Sequence, residues 1–318
     1  MLKVFLTVDV EIWCDGWGQL DKKFPSAFRR YIYGETANGK YGLPFQLQVL
    51  QDYGLKGVFF VEPLFSTRFG LAPLQEIVSL IYEYGQEVQL HLHPEWVDES
   101  IEPIITKSTI KRQHLKYYSL NEQMNIIAKG ISLLKDCGCK KIDAFRAGGF
   151  GANMDTLTVL ENNAIHFDSS YDYTSSICEI KSPQALIQPV KLQNIYEYPM
   201  SFFIDYPGHC RHVQLGACSS KELQNMLFNA EKNSWDSVVI LSHNFELMTQ
   251  SKNNVDQVVL RRFIKLCELL NQRRDLFETV GFEKLQPVLF DTQPEPLKSN
   301  IIHTGFRVLE QVWRNRKQ

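Results

Sequence analysis

Short apolar runs that alternate with amphipathic segments place the strongest limit on how this chain can fold. Runs at residues 2–8, 57–61 and 237–241 are each long enough for one buried strand. Segments with helical spacing of apolar residues, at 43–53 and 73–84, separate the early runs, and a glycine follows each segment. Continued along the chain, the pattern gives about seven or eight strands alternating with helices. It predicts an α/β fold with parallel strands, in particular an irregular or incomplete (β/α) barrel.

Two further helices are indicated by their first residues. Ser119 and Ser219 are each followed three residues later by a glutamate, the capping-box pattern of a helix N-terminus. We therefore expect helices to begin just after these serines. A last helix is expected around residues 306–313.

The stretch Glu87–Trp96 begins as a strand and ends among residue types that bind metals. Apolar residues alternate there with polar ones, so His91 and His93 are expected on the same face of the strand. Pro94 has no N–H group and would end the strand, and Glu95 follows it. Two imidazoles and a carboxylate suit Zn²⁺ or a similar divalent ion. The alternative is a strand end that carries two surface histidines.

Other chemically active residues also follow apolar runs. Asp9 and Glu11 come at the end of the first run, and at period two their carboxylates face the same way. His243 ends the run at 237–241, and Arg146 follows a strand expected at 141–145. Strand carboxyl ends are where α/β folds place their chemistry. The alternatives are a solvated loop start for the two acids and a surface position for Arg146.

Composition narrows the class of protein. The chain has 318 residues, 44% of them hydrophobic and 22% charged, and a net charge of −2, with no basic stripe of the kind that nucleic-acid binding requires. Seven scattered cysteines do not form a disulfide framework and indicate a reducing compartment. With no secretory signal pattern and no apolar run of membrane-spanning length, a cytoplasmic location is expected. Three glycines follow Arg146, but no P-loop lysine and no dinucleotide fingerprint accompany them.

Taken together, these stretches resemble the motifs of the polysaccharide deacetylase family, the NodB homology domain of carbohydrate esterase family 4. The family's first motif pairs two acids, a catalytic base and then a metal ligand. The resemblance gives these roles to Asp9 and Glu11, in an Asp-x-Glu variant. The second motif has two histidines four residues apart, and His91 matches the first. Glu95 stands where the second is usual, so either His93 or Glu95 replaces that ligand; strand alternation favours His93.

Two more motifs extend the resemblance. Arg146 matches the arginine that braces the base in the third motif, although Ala147 and Gly148 stand where the family has Pro-Tyr. His243 matches the general acid of the fifth motif. The fourth motif has no match. The resemblance covers about residues 1–285, for which it implies an irregular (β/α)₇ barrel; residues 286–318 would then form a C-terminal tail with a helix packing on the barrel.

The resemblance implies a metal-dependent hydrolase, with Zn²⁺ as the expected ion, that removes an N-acetyl group from an amino sugar or glycan precursor. Surface-polysaccharide biosynthesis is the expected setting, and a carbohydrate or sugar conjugate is the expected partner, with no membrane span. One alternative is another amide hydrolase on the same fold, such as a deformylase or a cyclic amidase. A second is a sugar-binding protein that has lost catalysis. The sequence indicates no oligomeric state.

Overall fold

The computed structural model describes residues 1–315. Its strands, in chain order, are β1 Leu2–Val10, β2 Glu35–Thr36, β3 Gly39–Lys40, β4 Gly57–Val61, β5 Glu87–Leu92, β6 Ala144–Ala147, β7 Phe167–Asp168, β8 Val190–Leu192, β9 Ile195–Glu197, β10 Phe202–Tyr206, β11 His209–His212, β12 Ser237–His243 and β13 Phe277–Thr279. Its α-helices are α1 Leu20–Phe28, α2 Leu43–Asp52, α3 Ser66–Phe69, α4 Ala72–Glu83, α5 Leu120–Asp136, α6 Met154–Asn162, α7 Ser220–Lys232, α8 Gln257–Gln272 and α9 Ile301–Asn315.

The chain divides into two compact units. Unit 1 contains Met1–Gly57, Ser201–Val280 and the chain from Glu295 onward, and unit 2 contains Val58–Met200 and Gly281–Pro294.

Unit 1 is built around strand β1. This strand pairs in parallel with β12, from Lys3 opposite Ser237 to Asp9 opposite His243, and with β13 near its start. Nearly every residue of β1 is buried, as expected for a strand covered on both faces. Asp9 and His243 therefore lie side by side, at the carboxyl ends of two adjacent parallel strands.

Unit 2 contains a parallel sheet in the order β4, β5, β6, β7 and β9, and β8 is added antiparallel at the edge. Every residue of β4 and β5 is buried. The carboxyl ends of these parallel strands meet at one edge of the sheet, so the residues that follow them are neighbours. His91, Arg146 and Asp168 all lie at this edge.

Both predicted capping boxes are present. The Ser119 side chain accepts from the backbone N–H of Glu122 at the start of α5, and the Glu122 carboxylate accepts from the backbone N–H of Ser119. Ser219 and Glu222 form the same reciprocal pair at the start of α7. These two predictions from the sequence are confirmed. Among residues 1–315, no helix is both long enough and apolar enough to cross a bilayer.

Candidate active site

Three side chains with ligand-type or acid–base atoms converge in unit 1. Asp9 and Glu11, at and just beyond the end of β1, lie with His243 so that one such atom from each is within 4.8 Å of the others. Asp9 and Glu11 are only 4% and 7% exposed, and His243 is half-buried. Two carboxylates are costly to bury so close together unless a cation or a proton accompanies them.

The backbone around Glu11 is fixed by Asn244. The Asn244 side chain accepts from the Glu11 N–H at 2.9 Å and donates to the carbonyl groups of Glu11 at 3.1 Å and Tyr31 at 2.7 Å. The Trp13 indole N–H also donates to one Glu11 carboxylate oxygen at 2.7 Å. Glu11 is thus oriented by two residues that the sequence analysis did not assign to the site. The only signal for Asn244 was its place directly after His243.

A charged hydrogen bond holds His243. Its Nδ1 lies 2.7 Å from the Glu246 carboxylate, which also accepts from the Gln214 amide at 3.0 Å. Burial lowers the pKa of His243, but the Glu246 bond, reinforced by Glu11 and Asp9, outweighs burial and raises that pKa to about 9. The Glu246 carboxylate therefore favours the doubly protonated form of His243.

Aromatic rings fix the other side of the His243 imidazole. Phe245 stacks on it with ring centroids 5.2 Å apart and an interplanar angle of 24°, and Tyr31 meets Phe245 edge to face. The Lys252 ammonium lies 4.9 Å from the Phe245 centroid and 5.1 Å from the Tyr31 centroid. This packing limits rotation of the imidazole, so Glu246 holds a ring whose orientation is already restricted.

In unit 2, His91 and His93 lie together, as the alternation along β5 predicted. Their ring centroids are 5.0 Å apart, edge to face. His91 is buried, and its Nδ1 lies 2.8 Å from the backbone carbonyl oxygen of Arg146. A backbone carbonyl on one imidazole nitrogen is the arrangement that presents the other nitrogen, here Nε2, to a metal.

Glu95 accompanies His93. Its carboxylate lies 3.6 Å from the His93 Nδ1 atom, and the side chain is 6% exposed. One of its oxygens, Oε2, is buried with no hydrogen-bond partner among residues 1–315. The Glu95 carboxylate is thus a close neighbour of the His93 ring, at a distance longer than a hydrogen bond.

The glycine-rich turn after Arg146 makes room for two imidazoles. A Cβ atom on Gly148 would lie 2.8 Å from the His93 ring, and one on Gly151 would lie 2.3 Å from the Cβ of His114. Between them, Gly149 has φ +57°, a conformation that L side chains rarely adopt. Gly148, which with Ala147 stands where the resembling family has Pro-Tyr, therefore leaves room for the His93 ring, and Gly151 leaves room for His114. His114 was not identified from the sequence.

Arg146 is not the surface arginine that the alternative interpretation required. Its side chain is fully buried, and the guanidinium donates to the Ser169 backbone carbonyl at 3.2 Å and to the Ser169 hydroxyl at 3.1 Å. The same group lies 4.4 Å from the centroid of the Phe60 ring. A guanidinium stays protonated at any working pH, so Arg146 places a permanent positive charge at this edge of the sheet. Its pairing with Asp9 stays a prediction.

One buried acid of unit 2 was missed. Glu62 directly follows β4, is 1% exposed, and accepts from the backbone N–H groups of Leu64 at 2.8 Å and Phe65 at 3.3 Å. Burial raises its pKa to about 8, against the opposing effect of these bonds. The sequence pattern that identified Asp9, an acid at the end of a buried apolar run, is also present at Glu62. Its bonds to the next turn indicate a structural role.

A pair of fully buried acids lies at the ends of β7 and β9. Asp168 is opposite Glu197 in the strand register. The Ser170 hydroxyl donates to Asp168 at 2.6 Å, and the Tyr171 N–H donates to Glu197 at 3.1 Å. Burial raises the pKa of both carboxyl groups, and the charge of Asp168 raises that of Glu197 further. The folded protein therefore keeps a proton on this pair above the pH at which the unfolded chain releases it.

This proton gives a testable pH dependence. Because the folded state binds more protons than the unfolded state, the pair's contribution to stability is full below the unfolded carboxyl pKa. It declines as pH rises toward the folded pKa. In Glu197→Gln, the amide can donate a hydrogen bond to Asp168 without a proton that titrates. We therefore expect the urea midpoint of the variant to fall less between pH 5 and pH 8 than the urea midpoint of the wild-type protein. Glu102→Gln, at an exposed acid, should leave the wild-type dependence unchanged; equal pH dependence in Glu197→Gln and wild type would contradict the shared proton.

Comparison with known proteins supports the fold. No model of a known protein family matches the sequence, and no curated protein does. A solved structure provisionally assigned as a polysaccharide deacetylase from Mycobacterium smegmatis matches with a TM-score of 0.56 and 19% identity, over 92% of this chain and 94% of that one. The 4-alpha-glucanotransferase of Thermococcus litoralis matches with a TM-score of 0.50 and 11% identity, over 91% of this chain and 39% of that one.

A third match is the family 4 carbohydrate esterase from Streptomyces lividans, with a TM-score of 0.46 and 11% identity, over 91% of this chain and 98% of that one. The chain has the α/β fold of the NodB-type polysaccharide deacetylases. The fold class predicted from the sequence, an irregular (β/α)₇ barrel of this type, is confirmed. At these identities the likeness concerns the fold, and activity has to be argued from the residues.

Proposed function

We propose that this protein is a metal-dependent hydrolase that removes the N-acetyl group of an amino sugar or glycan precursor. The observation that carries the proposal is the convergence of Asp9, Glu11 and His243 at the ends of two adjacent parallel strands. It supplies a carboxylate for proton abstraction and an imidazolium for proton donation, with a second carboxylate to bind a cation. Amide hydrolysis needs these functions together.

Glu11, His91 and His93 would hold the proposed ion, with Zn²⁺ as the expected metal. One carboxylate and two imidazoles form a common catalytic zinc set, which leaves a further position for water or substrate. The residues fit this role: the His91 Nδ1 faces a backbone carbonyl, and Trp13 and Asn244 orient Glu11. When bound, the ion supplies Lewis acidity toward water and the amide carbonyl oxygen.

In this proposal Glu95 orients His93 and is not itself a ligand. The Glu95 carboxylate is the acid next to the His93 ring, 3.6 Å from its Nδ1 atom. A carboxylate that hydrogen-bonds to a ligating imidazole fixes the tautomer and raises its basicity, and Glu95 would take this role once the contact shortens to hydrogen-bond distance. In the alternative from the sequence, Glu95 binds the ion in place of His93. The His93 imidazole would then be only a neighbour of the ligating Glu95 carboxylate.

Asp9 and His243 would move the protons. Asp9 takes a proton from the attacking water as the new C–O bond forms at the amide carbon. His243, kept protonated by Glu246, gives its proton to the departing nitrogen as the C–N bond breaks. The products are acetate and a free amine. Arg146 is proposed to brace Asp9 in its ionised form.

The substrate and setting are proposed from the fold and the composition. The M. smegmatis structure with this fold is described as a polysaccharide deacetylase, which favours a sugar or sugar-conjugate substrate. All seven cysteines are free thiols, which favours a reducing compartment such as the cytoplasm. In that compartment the substrate would be a biosynthetic precursor of a surface polysaccharide and not the mature cell wall.

Acyl release from defined substrates tests the activity. Chelator-treated protein is reloaded with Zn²⁺, Co²⁺ or Mn²⁺ and offered N-acetyl, N-formyl and O-acetyl sugars and a small cyclic amide. We expect acetate release from an N-acetyl sugar that depends on added metal. Turnover of only the N-formyl or cyclic substrate would favour another amide hydrolase. Substrate binding with no release by any metal-loaded form would favour a protein that has lost catalysis.

A further inference from the structure

Helix α9 is held on unit 1 through a charged inner face. The Arg307 guanidinium donates to the Glu222 carboxylate at 3.0 Å and to the Asp205 carboxylate at 2.9 Å. The Thr304 hydroxyl donates to the Asp205 backbone carbonyl at 3.0 Å. Arg307 is only 4% exposed. A buried guanidinium between two carboxylates fixes the rotation of the helix about its axis, because turning it would leave buried charges unpaired.

The other two charged side chains of α9, Glu310 and Arg314, also pair with residues of unit 1 outside the helix. Arg262 of α8 donates to the Glu310 carboxylate at 2.6 Å. Arg314 pairs with Asp256, the residue that caps α8, and donates to a backbone carbonyl nearby. All three charged side chains within residues 301–315 are therefore in ion pairs with the body of the unit.

The opposite face of α9 is apolar and open to solvent. Six of its hydrophobic side chains are between 48% and 70% exposed: Ile301, Ile302, Phe306, Val308, Leu309 and Val312. They recur at helical spacing and form one continuous stripe. A helix that packs on a globular domain normally buries such a stripe and exposes its charges. In α9 the arrangement is reversed.

A groove continues the apolar surface beside the helix. It has a volume of about 580 Å³, and Ile302 and Phe306 line it together with Leu269 of α8. Lys221 and Lys265 also line it, and both are exposed. The apolar stripe and the groove form a single surface, here called the α9 surface. Contiguous apolar surfaces of this kind mark interaction sites.

We propose that the α9 surface seats this protein on a membrane that contains anionic lipids. A helix lying in a bilayer interface presents an apolar face to the acyl chains and keeps its polar groups on the other side, which is how α9 is mounted. The proposal is independent of the activity proposed above.

The charged residues around the α9 surface indicate which kind of partner binds there. Two exposed lysines, Lys221 and Lys265, line the groove. Of the two acids that also line it, Glu310 is paired with Arg262, and the half-buried Glu268 accepts from the Tyr53 hydroxyl at 3.4 Å. In the sequence, two further cations, Arg316 and Lys317, follow helix α9. Lysine and arginine near an interface are each attracted to anionic headgroups. A second copy of this chain would bring the same positive charge to the contact, which disfavours self-association through this surface.

Vesicle binding by the full chain tests the proposal. Protein is sedimented with vesicles of phosphatidylcholine alone and of phosphatidylcholine mixed with phosphatidylglycerol. We expect binding to the mixed vesicles, weakened by added salt, and a reduction of about tenfold or more in Leu309→Glu, because burial of that side chain is lost. Phe306→Glu, on the same stripe, should behave alike. Ile110→Glu, at an apolar residue 75% exposed in unit 2, should bind as wild type does.

Three outcomes would overturn the proposal. The first is no sedimentation with either vesicle, and the second is equal sedimentation with neutral and anionic vesicles. The third is a stable dimer in sedimentation velocity that Leu309→Glu splits, which would make a second copy the occupant. Because Leu309 and Phe306 face solvent while Arg307 holds the helix, both variants should keep the wild-type thermal midpoint. That measurement separates a lost surface from a lost fold.

Discussion

His91→Ala is expected to reduce metal affinity by more than roughly 100-fold and to abolish metal-dependent turnover. With three protein ligands the loss of one leaves no redundancy, and even residues that only orient a ligand cost about 10–100-fold in affinity. Metal content after dialysis against a buffered ion, measured by mass spectrometry, checks this. His166→Ala, at an exposed histidine of the same unit, serves as the control and should retain wild-type metal content.

Comparing His93→Ala with Glu95→Gln identifies the third ligand. If His93 binds the ion and Glu95 orients it, His93→Ala should match His91→Ala, and Glu95→Gln should lose only about 10–100-fold in affinity. The reverse order would make Glu95 the ligand. Full metal occupancy in His91→Ala, with the circular dichroism of wild type, would reject the assignment altogether.

Much of the site could be predicted because strand geometry is local. Alternation at period two put His91 and His93 on one face, and their rings do lie together. The same rule, applied to the end of β1, put Asp9 and Glu11 on one side, and both are in the cluster with His243. Residues at the end of an apolar run can therefore be identified from the sequence.

The supporting residues could not be predicted, because their partners come from other parts of the chain. Gln214 reaches Glu246 across 32 positions, and Asp168 meets Glu197 across 29. Nothing in the local pattern of either segment signals such a contact. The role of Asn244 also depends on a side-chain hydrogen bond to Glu11, which is 233 residues away in the sequence.

Helix α9 shows a different limit. Its apolar periodicity is clear in the sequence, and such periodicity normally predicts the face that packs on the domain. The buried side chains are instead Thr304 and Arg307, since Asp205 and Glu222 supply carboxylates at that place. Periodicity identifies which residues share a face, and the partner decides which face is inside.

Asp9→Asn is expected to lower turnover by about 10²–10⁴-fold while the metal stays bound. The amide keeps the size of the carboxylate but cannot accept the proton of the attacking water. Glu11→Gln should do the opposite, with metal lost first and activity with it. Asp15→Asn, at an exposed acid of the same unit, is the matched control and should turn over normally.

The distinction depends on measuring metal and turnover on the same samples. Metal content is determined on each variant, and turnover is then measured with the ion in excess. His243→Ala should resemble Asp9→Asn, with a loss of about 10²–10⁴-fold at full occupancy, because it removes the proton donor and leaves the proposed ligands in place. An Asp9→Asn protein that loses its metal, together with a Glu11→Gln protein that keeps it, would exchange the two roles. In that case Asp9 would be the ligand beside the histidines, and Glu11, held by Trp13 and Asn244, would be the base.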